Sequence, residues 1–184
     1  MSYDFYREVV TIITRILGTI FIMAGSIGLG LYFSARESLR IKELLEVKKA
    51  LLILWSEIEF LSTPLATACE NIAHRTENTV AKLFENFSAR LGLGEGGTAY
   101  THWAQSLDYV AETSFMKAED FSVLEGFGKT LGYLDKIMQK NAIDHTTHYI
   151  DDTVATLQAA SQKSRRMYHS LGVVGGLLVV IMLW

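Results

Sequence analysis

The chain is poor in the residues that cross-link or punctuate a fold. It holds one cysteine, Cys69, so no intrachain disulfide can form. Its fold therefore does not depend on an oxidising compartment. It holds one proline, Pro64. Asn-Gly and Asp-Gly pairs are absent, and alternating Val/Ile/Thr runs are few, which removes the usual hairpin and strand signals. No charge dominates: the formal net charge is -3 over 184 residues. A nucleic-acid footprint would show as a clustered basic excess, and none is present. The length suits one modest domain with room for a core. What remains is apolar periodicity near 3.6 residues, which predicts an all-α protein. The positive mean hydropathy asks for a membrane explanation.

Two apolar segments answer it. Ile16 to Phe33, ILGTIFIMAGSIGLGLYF, carries no charge. As a helix it would reach roughly 27 Å, close to the ~30 Å of a hydrocarbon core. Its flank before the run is not clearly basic and no small-residue cleavage site follows, so it reads as an uncleaved anchor rather than a signal peptide. Leu171 to Trp184, LGVVGGLLVVIMLW, is shorter and gains length from Met167 to Ser170. The Trp suits an interface. The predicted organisation is a short N-terminal segment (1–15), a first transmembrane helix (16–35), a cytoplasmic helical bundle (36–166) and a second transmembrane helix (167–184). Arg36, Arg40, Lys42, Lys48 and Lys49 follow the first span, and Lys163, Arg165 and Arg166 precede the second. By the positive-inside rule both flanks place the middle in the cytoplasm of a cell-membrane protein. Ala24 with Gly28, and Gly172 with Gly176, are small residues four apart that would let the spans pack closely.

The middle reads as a run of amphipathic helices. Ile41, Leu44, Leu45, Leu51, Leu52, Trp55, Ile58 and Leu61 form the first apolar face. Thr63 as N-cap and Pro64 at the first helical position restart the chain. Leu65, Ala68, Cys69 and Ile72 follow, then Val80, Leu83, Phe84, Phe87 and Leu91, with Gly92 as a stop. Trp103, Leu107 and Val110 mark a fourth helix. A fifth, starting after Ser114, carries Phe121, Leu124, Phe127 and Leu131. Asp135 is the expected N-cap of the last helix, which carries Ile143, Ile150, Val154 and Leu157.

Candidate chemistry is sparse. Gly128-Lys129-Thr130 has the last three residues of a phosphate-binding loop. That loop needs Gly-x-x-x-x-Gly-Lys-Ser/Thr between a buried strand and a helix. Val123 stands where the first Gly should be, no strand precedes, and the stretch reads as helix interior, whose amides are already bonded. Gly126, Gly128 and Gly132 read better as close approaches of backbone to a neighbouring helix. His145, His148 and Asp152 share a helix face, but one helix offers no second ligand-bearing element, so a solvated face is the expectation. Cys69 falls on an apolar face with no His beside it, which reads as core. No cofactor, metal or catalytic residue is expected. Glu57, Glu59 and Glu70 put negative charge around the Thr63-Pro64 turn and are candidates for docking a basic partner.

Three stretches carry a family resemblance: SEIEFLSTPLATACENIA (56–73), EDFSVLEGFGKTLGYLDKIMQ (119–139) and YHSLGVVGGLLVVIML (168–183). They closely resemble the stage III sporulation protein AB family over nearly the whole chain. The shared elements are Pro64-Leu65, then Phe127, Gly128, Leu131, Gly132 and Asp135, then Leu171-Gly172. Leu134 departs from the small polar residue more usual before that Asp. The resemblance implies a bundle similar to the F-domain of type II secretion platform proteins. It also implies a place in the channel complex between mother cell and forespore, on the mother-cell side of the outer forespore membrane. A secretion-type ATPase and other membrane components would be the partners, with self-association left open.

Two readings follow. One is a non-enzymatic platform subunit of that complex, or of another secretion or pilus-type machine. The other is a membrane enzyme or nucleotide-binding protein using Lys129.

Overall fold

A computed structural model gives the architecture. It describes the backbone of residues 2–61, 63–93, 96–132 and 136–183. Side chains are described for 35–61, 63–93, 96–132 and 137–161, and for Thr14, Leu17, Gly18, Ile20, Phe21, Gly25 and Tyr32. Among the described residues every regular element is helical: α1 (Ser2–Ser56), a π-helical turn (Glu57–Leu61), α2 (Leu65–Arg75), α3 (Asn78–Gly92), α4 (Ala99–Ala111), α5 (Ala118–Gly128) and α6 (Lys136–Leu183).

The chain divides into two units, Met1–Ser38 and Leu39–Trp184. The first unit is helical, and its described side chains Leu17, Ile20 and Phe21 are exposed. Among the described residues no helix is long and apolar enough to cross a membrane. Most of segment 16–33 and all of segment 171–184 fall outside the described side chains, as do Ala24, Gly28, Gly172 and Gly176.

The second unit is built by helical periodicity. Leu44, Val47, Ala50, Leu51 and Leu54 of α1 are buried, with Ile41 and Ile58 packed against them. Each fully buried aliphatic side chain contributes about 1.5–3 kcal/mol. The inward face of α1 is narrower than its apolar content suggests: Leu45 and Leu52 are exposed. Successive helices then pack in chain order, α2 on α3, α3 on α4, α4 on α5 and α5 on α6. Val80, Leu83, Phe84 and Phe87 of α3 are buried, as are Trp103, Leu107 and Val110 of α4.

Trp103 is the hub. Phe84, Phe87 and Phe127 meet it edge-on, with ring centroids 5.6, 5.1 and 5.6 Å away. This edge-to-face geometry suits the ring quadrupole. The indole Nε1–H donates to the Leu124 carbonyl at 2.7 Å. The core polar handle is thus satisfied by α5.

α1 and α6 run antiparallel. Lys48 pairs with Asp151 at 2.6 Å, and Lys140 lies 5.9 Å from the centre of the Trp55 ring. Later residues of α1 therefore meet earlier residues of α6, and the chain enters and leaves the bundle at one end.

Three boundaries differ from the sequence reading. α2 begins at Leu65 with Pro64 as its N-cap, whose carbonyl accepts from the Ala68 N–H at 2.9 Å. Thr63 does not cap; its hydroxyl donates to Glu57 instead. α5 begins at Ala118, several residues after Ser114, because Asp120 reaches back to the Lys117 N–H at 2.7 Å and fixes the start there. Leu61 is 66% exposed rather than inward. The π turn explains it: the wider turn rotates later residues off the face that carries Leu44, Leu51 and Leu54. Asp135, the expected cap of α6, lies outside the described residues.

Candidate functional site

The Gly-Lys-Thr stretch ends α5 rather than lying inside it, which corrects the helix-interior reading. Gly128 is the last helical residue and Lys129 its C-cap. The amides of Lys129, Thr130 and Leu131 are spent on the carbonyls of Gly126, Phe127 and Gly128, at 3.3, 2.9 and 3.1 Å. The Thr130 hydroxyl donates to Phe127 O. No amide of the three is left to cradle phosphate. A helix C-terminus also presents negative, not positive, partial charge.

The shared family positions instead serve packing and turning. A Cβ on Gly128 would overlap the Trp103 indole ring. Phe127 meets the same ring, and Leu131 is buried. Gly132 has φ +88°, in the left-handed region that glycine adopts without penalty. Gly126 differs: a Cβ there would meet nothing within 4 Å, so no close approach explains it. Pro64 is exposed and Leu65 packs on the core.

The histidine face does not assemble. His145, His148 and Asp152 are exposed, and no group of three or more His, Cys, Asp or Glu among the described residues is placed to hold a metal. Cys69 is fully buried, and burial pushes its thiol up to about 12, which makes it an inert core residue.

The buried polar chemistry lies elsewhere, in residues that sequence reading did not single out as a site, Arg40 having been read only as part of the basic flank. Arg40 Nε and Nη2 each donate to one oxygen of Asp120 at 2.8 Å. Tyr149 OH donates to the same carboxylate at 2.8 Å, and the Lys117 amide adds a fourth bond. One carboxylate thereby joins α1, α5 and α6. Burial alone would raise the Asp120 carboxyl, but the donors from Arg40, Lys117 and Tyr149 outweigh it and hold it below the usual range. The bond to Asp120 raises Arg40 in turn. Burial, then the Asp120 bond, raises the Tyr149 phenol.

One helical turn on, Glu43 accepts from the Ser114 hydroxyl at 3.0 Å and the Phe115 N–H at 2.7 Å. It thus ties the α4–α5 loop to α1. The available signal was positional: Arg40 and Glu43 lie on the face that also buries Leu44 and Val47. A charged residue on an apolar face needs a partner. Among the described residues one buried side-chain atom, His102 Nδ1, has no hydrogen-bond partner.

The acidic trio divides. Glu57 is buried; its oxygens accept from Thr63 Oγ1 at 2.8 Å and Asn71 Nδ2 at 3.5 Å. The Thr63 N–H also donates to the Glu57 carbonyl. Glu57 therefore braces the π turn against α2. Glu59 and Glu70 are exposed. Beside Glu59, Phe60 and Leu61 are 77% and 66% exposed.

The second unit is thus an all-helical bundle whose buried Arg40, Asp120, Glu43 and Glu57 are spent on internal ties. Comparison with known proteins specifies it further. The family model for stage III sporulation protein AB matches residues 15–184, so the chain belongs to that family. Stage III sporulation protein AB of Bacillus subtilis (strain 168) is 33% identical over 169 residues, covering 92% of this chain and 98% of the relative. A solved structure of stage III sporulation protein AB superposes with a TM-score of 0.63 at 34% identity, covering 67% of this chain and 97% of the other.

Proposed function

We propose that this sporulation protein is a non-enzymatic platform component of the channel complex between mother cell and forespore. It is anchored by its two apolar segments and docks a secretion-type ATPase through the cytoplasmic bundle. The observation that carries the reading is the antiparallel course of α1 and α6, pinned by Lys48–Asp151 and Lys140 over Trp55. In sequence, the apolar stretch 16–33 precedes the part of α1 that packs in the bundle and 171–184 follows the part of α6 that does. The exposed Leu17, Ile20 and Phe21 suit a lipid-facing helix. Arg40, part of the basic flank, is taken up by Asp120, so Arg36 and Lys42 carry the exposed positive charge there. An F-domain-like bundle presenting Glu59 and Glu70 offers an acidic face to a basic partner.

The test is affinity purification of the full chain from membranes of the sporulating host. A secretion-type ATPase should accompany it, and the tagged chain should remain in the membrane pellet after a carbonate wash. An ATPase absent from the eluate removes the docking role; release by carbonate removes the anchor.

A further inference from the structure

The π turn raises a question that helix packing does not answer. Phe60 and Leu61 are consecutive, large and apolar, and both point to solvent. Had α1 continued as an α-helix, Leu61 would sit seven residues after the buried Leu54, on the inward face. The extra residue of the π turn turns it out. The displacement is held in place: Glu57 bonds Thr63 through both its carbonyl and its side chain, reaches Asn71 on α2, and is followed by the fixed φ of Pro64. A braced turn fixes the backbone that carries the two side chains, which lowers the entropy lost when they enter a pocket.

The surroundings select the pocket. From residue 56 to residue 73 the chain has three glutamates and no lysine or arginine. Glu57 is internal, and Glu59 and Glu70 are exposed, Glu70 lying next to the Asn71 that holds the turn. An apolar pair in a stretch of chain whose exposed charges, Glu59 and Glu70, are both acidic is poorly matched to the anionic face of a bilayer. It is also poorly matched to a second copy of itself, which would bring the same acids together.

We propose that Phe60 and Leu61 are the anchor of a protein-docking surface, seated in an apolar pocket ringed by Lys or Arg on a partner protein. Glu59 and Glu70 steer and orient that partner, while Phe60 and Leu61 supply the desolvated centre, the arrangement usual at interface hot spots. This deepens the docking role proposed above by naming its contact, and it rests on that role.

The experiment places a benzophenone amino acid at position 60 of the full chain, expressed in the sporulating host and irradiated in intact membranes. The expected product is one discrete adduct with a different protein. Its yield should fall about tenfold in the E59K/E70K background and in high salt. In parallel, F60S/L61S should abolish recovery of that same protein while leaving the melting temperature of the chain unchanged. An adduct with lipid, an adduct with a second copy, no adduct, or a protein adduct indifferent to E59K/E70K would each overturn the proposal. The ATPase reading fails separately: it falls if the adducted protein is not the ATPase and no ATPase accompanies the wild-type chain.

Discussion

Arg40 on α1 and Asp120 on α5, eighty positions apart, meet in a two-bond ion pair with both bonds at 2.8 Å. The Arg40 side chain is 8% exposed and that of Asp120 0%. Taking these charges out of water is costly, so the pair is better understood as fixing where α1 docks than as a net source of stability. Removing one partner leaves the other buried and alone. Arg40→Ala or Asp120→Ala should therefore cost about 3–5 kcal/mol. The double change Arg40→Met with Asp120→Leu should cost less than either single change. Thermal melts of the full chain in detergent measure all three. A double variant less stable than both singles would show that the pair does more than compensate its own burial.

The same carboxylate gives the bundle an acid sensitivity of known sign. Its folded-state ionisation lies below the ordinary value of 3.8. The folded protein thus binds that proton more weakly than the unfolded chain does. The stabilisation is complete above the unfolded value and is lost as pH falls through it toward the folded one. Arg40 is shifted upward from its already high ordinary value, so its contribution does not change across this range. Between pH ~5 and ~3 the melting temperature of the wild type should drop more steeply than that of Asp120→Asn. Parallel slopes would assign the acid transition to other carboxylates.

Three glycines of one sequence stretch should respond differently to alanine. At Gly128 the new methyl meets the Trp103 ring, which is itself held by Leu124 and three aromatic neighbours. The ring has nowhere to move, and the change should cost at least about 1–3 kcal/mol, with altered near-UV circular dichroism. At Gly132 the cost is conformational, about 1–2 kcal/mol for φ +88°. At Gly126 the space is open within α5, so Ala should stabilise by about 0.5–1 kcal/mol. Equal effects at Gly126 and Gly128 would contradict the packing account.

The helix faces were legible in the sequence because burial imposes the 3.6-residue period directly. Val80, Leu83, Phe84, Phe87, Trp103, Leu107 and Val110 are all where that period puts them. The π turn was not legible, because Leu61 fits the periodic pattern and one extra backbone residue leaves no compositional mark. Neither was the Arg40–Asp120–Tyr149 tie, since nothing local relates residues so far apart. Glu57 shows the same limit. Its sequence neighbours Glu59 and Glu70 are exposed, and only the fold reveals that Glu57 itself is turned inward to Thr63 and Asn71. Gly128 was half legible: the close approach could be anticipated, its partner Trp103 could not.

Lys129 gives the sharpest contrast between motif and geometry. It is exposed, at the C-terminal end of α5, and the amides at 129, 130 and 131 are bonded to carbonyls within that last turn. A phosphate there would find one ammonium, no free amides and the negative end of a helix. ATP or GTP with Mg²⁺, at concentrations up to millimolar, should therefore leave the melting temperature of the full chain unchanged. Lys129→Ala should alter stability by no more than about 0.5 kcal/mol, because Lys129 caps α5 through its backbone N–H, which alanine keeps, and its side chain is exposed. It should also leave spore yield at the wild-type level when it replaces the native allele. A nucleotide-dependent rise in melting temperature that disappears in Lys129→Ala would overturn this account. It would return the chain to the nucleotide-binding class that its Gly-Lys-Thr triplet first suggests.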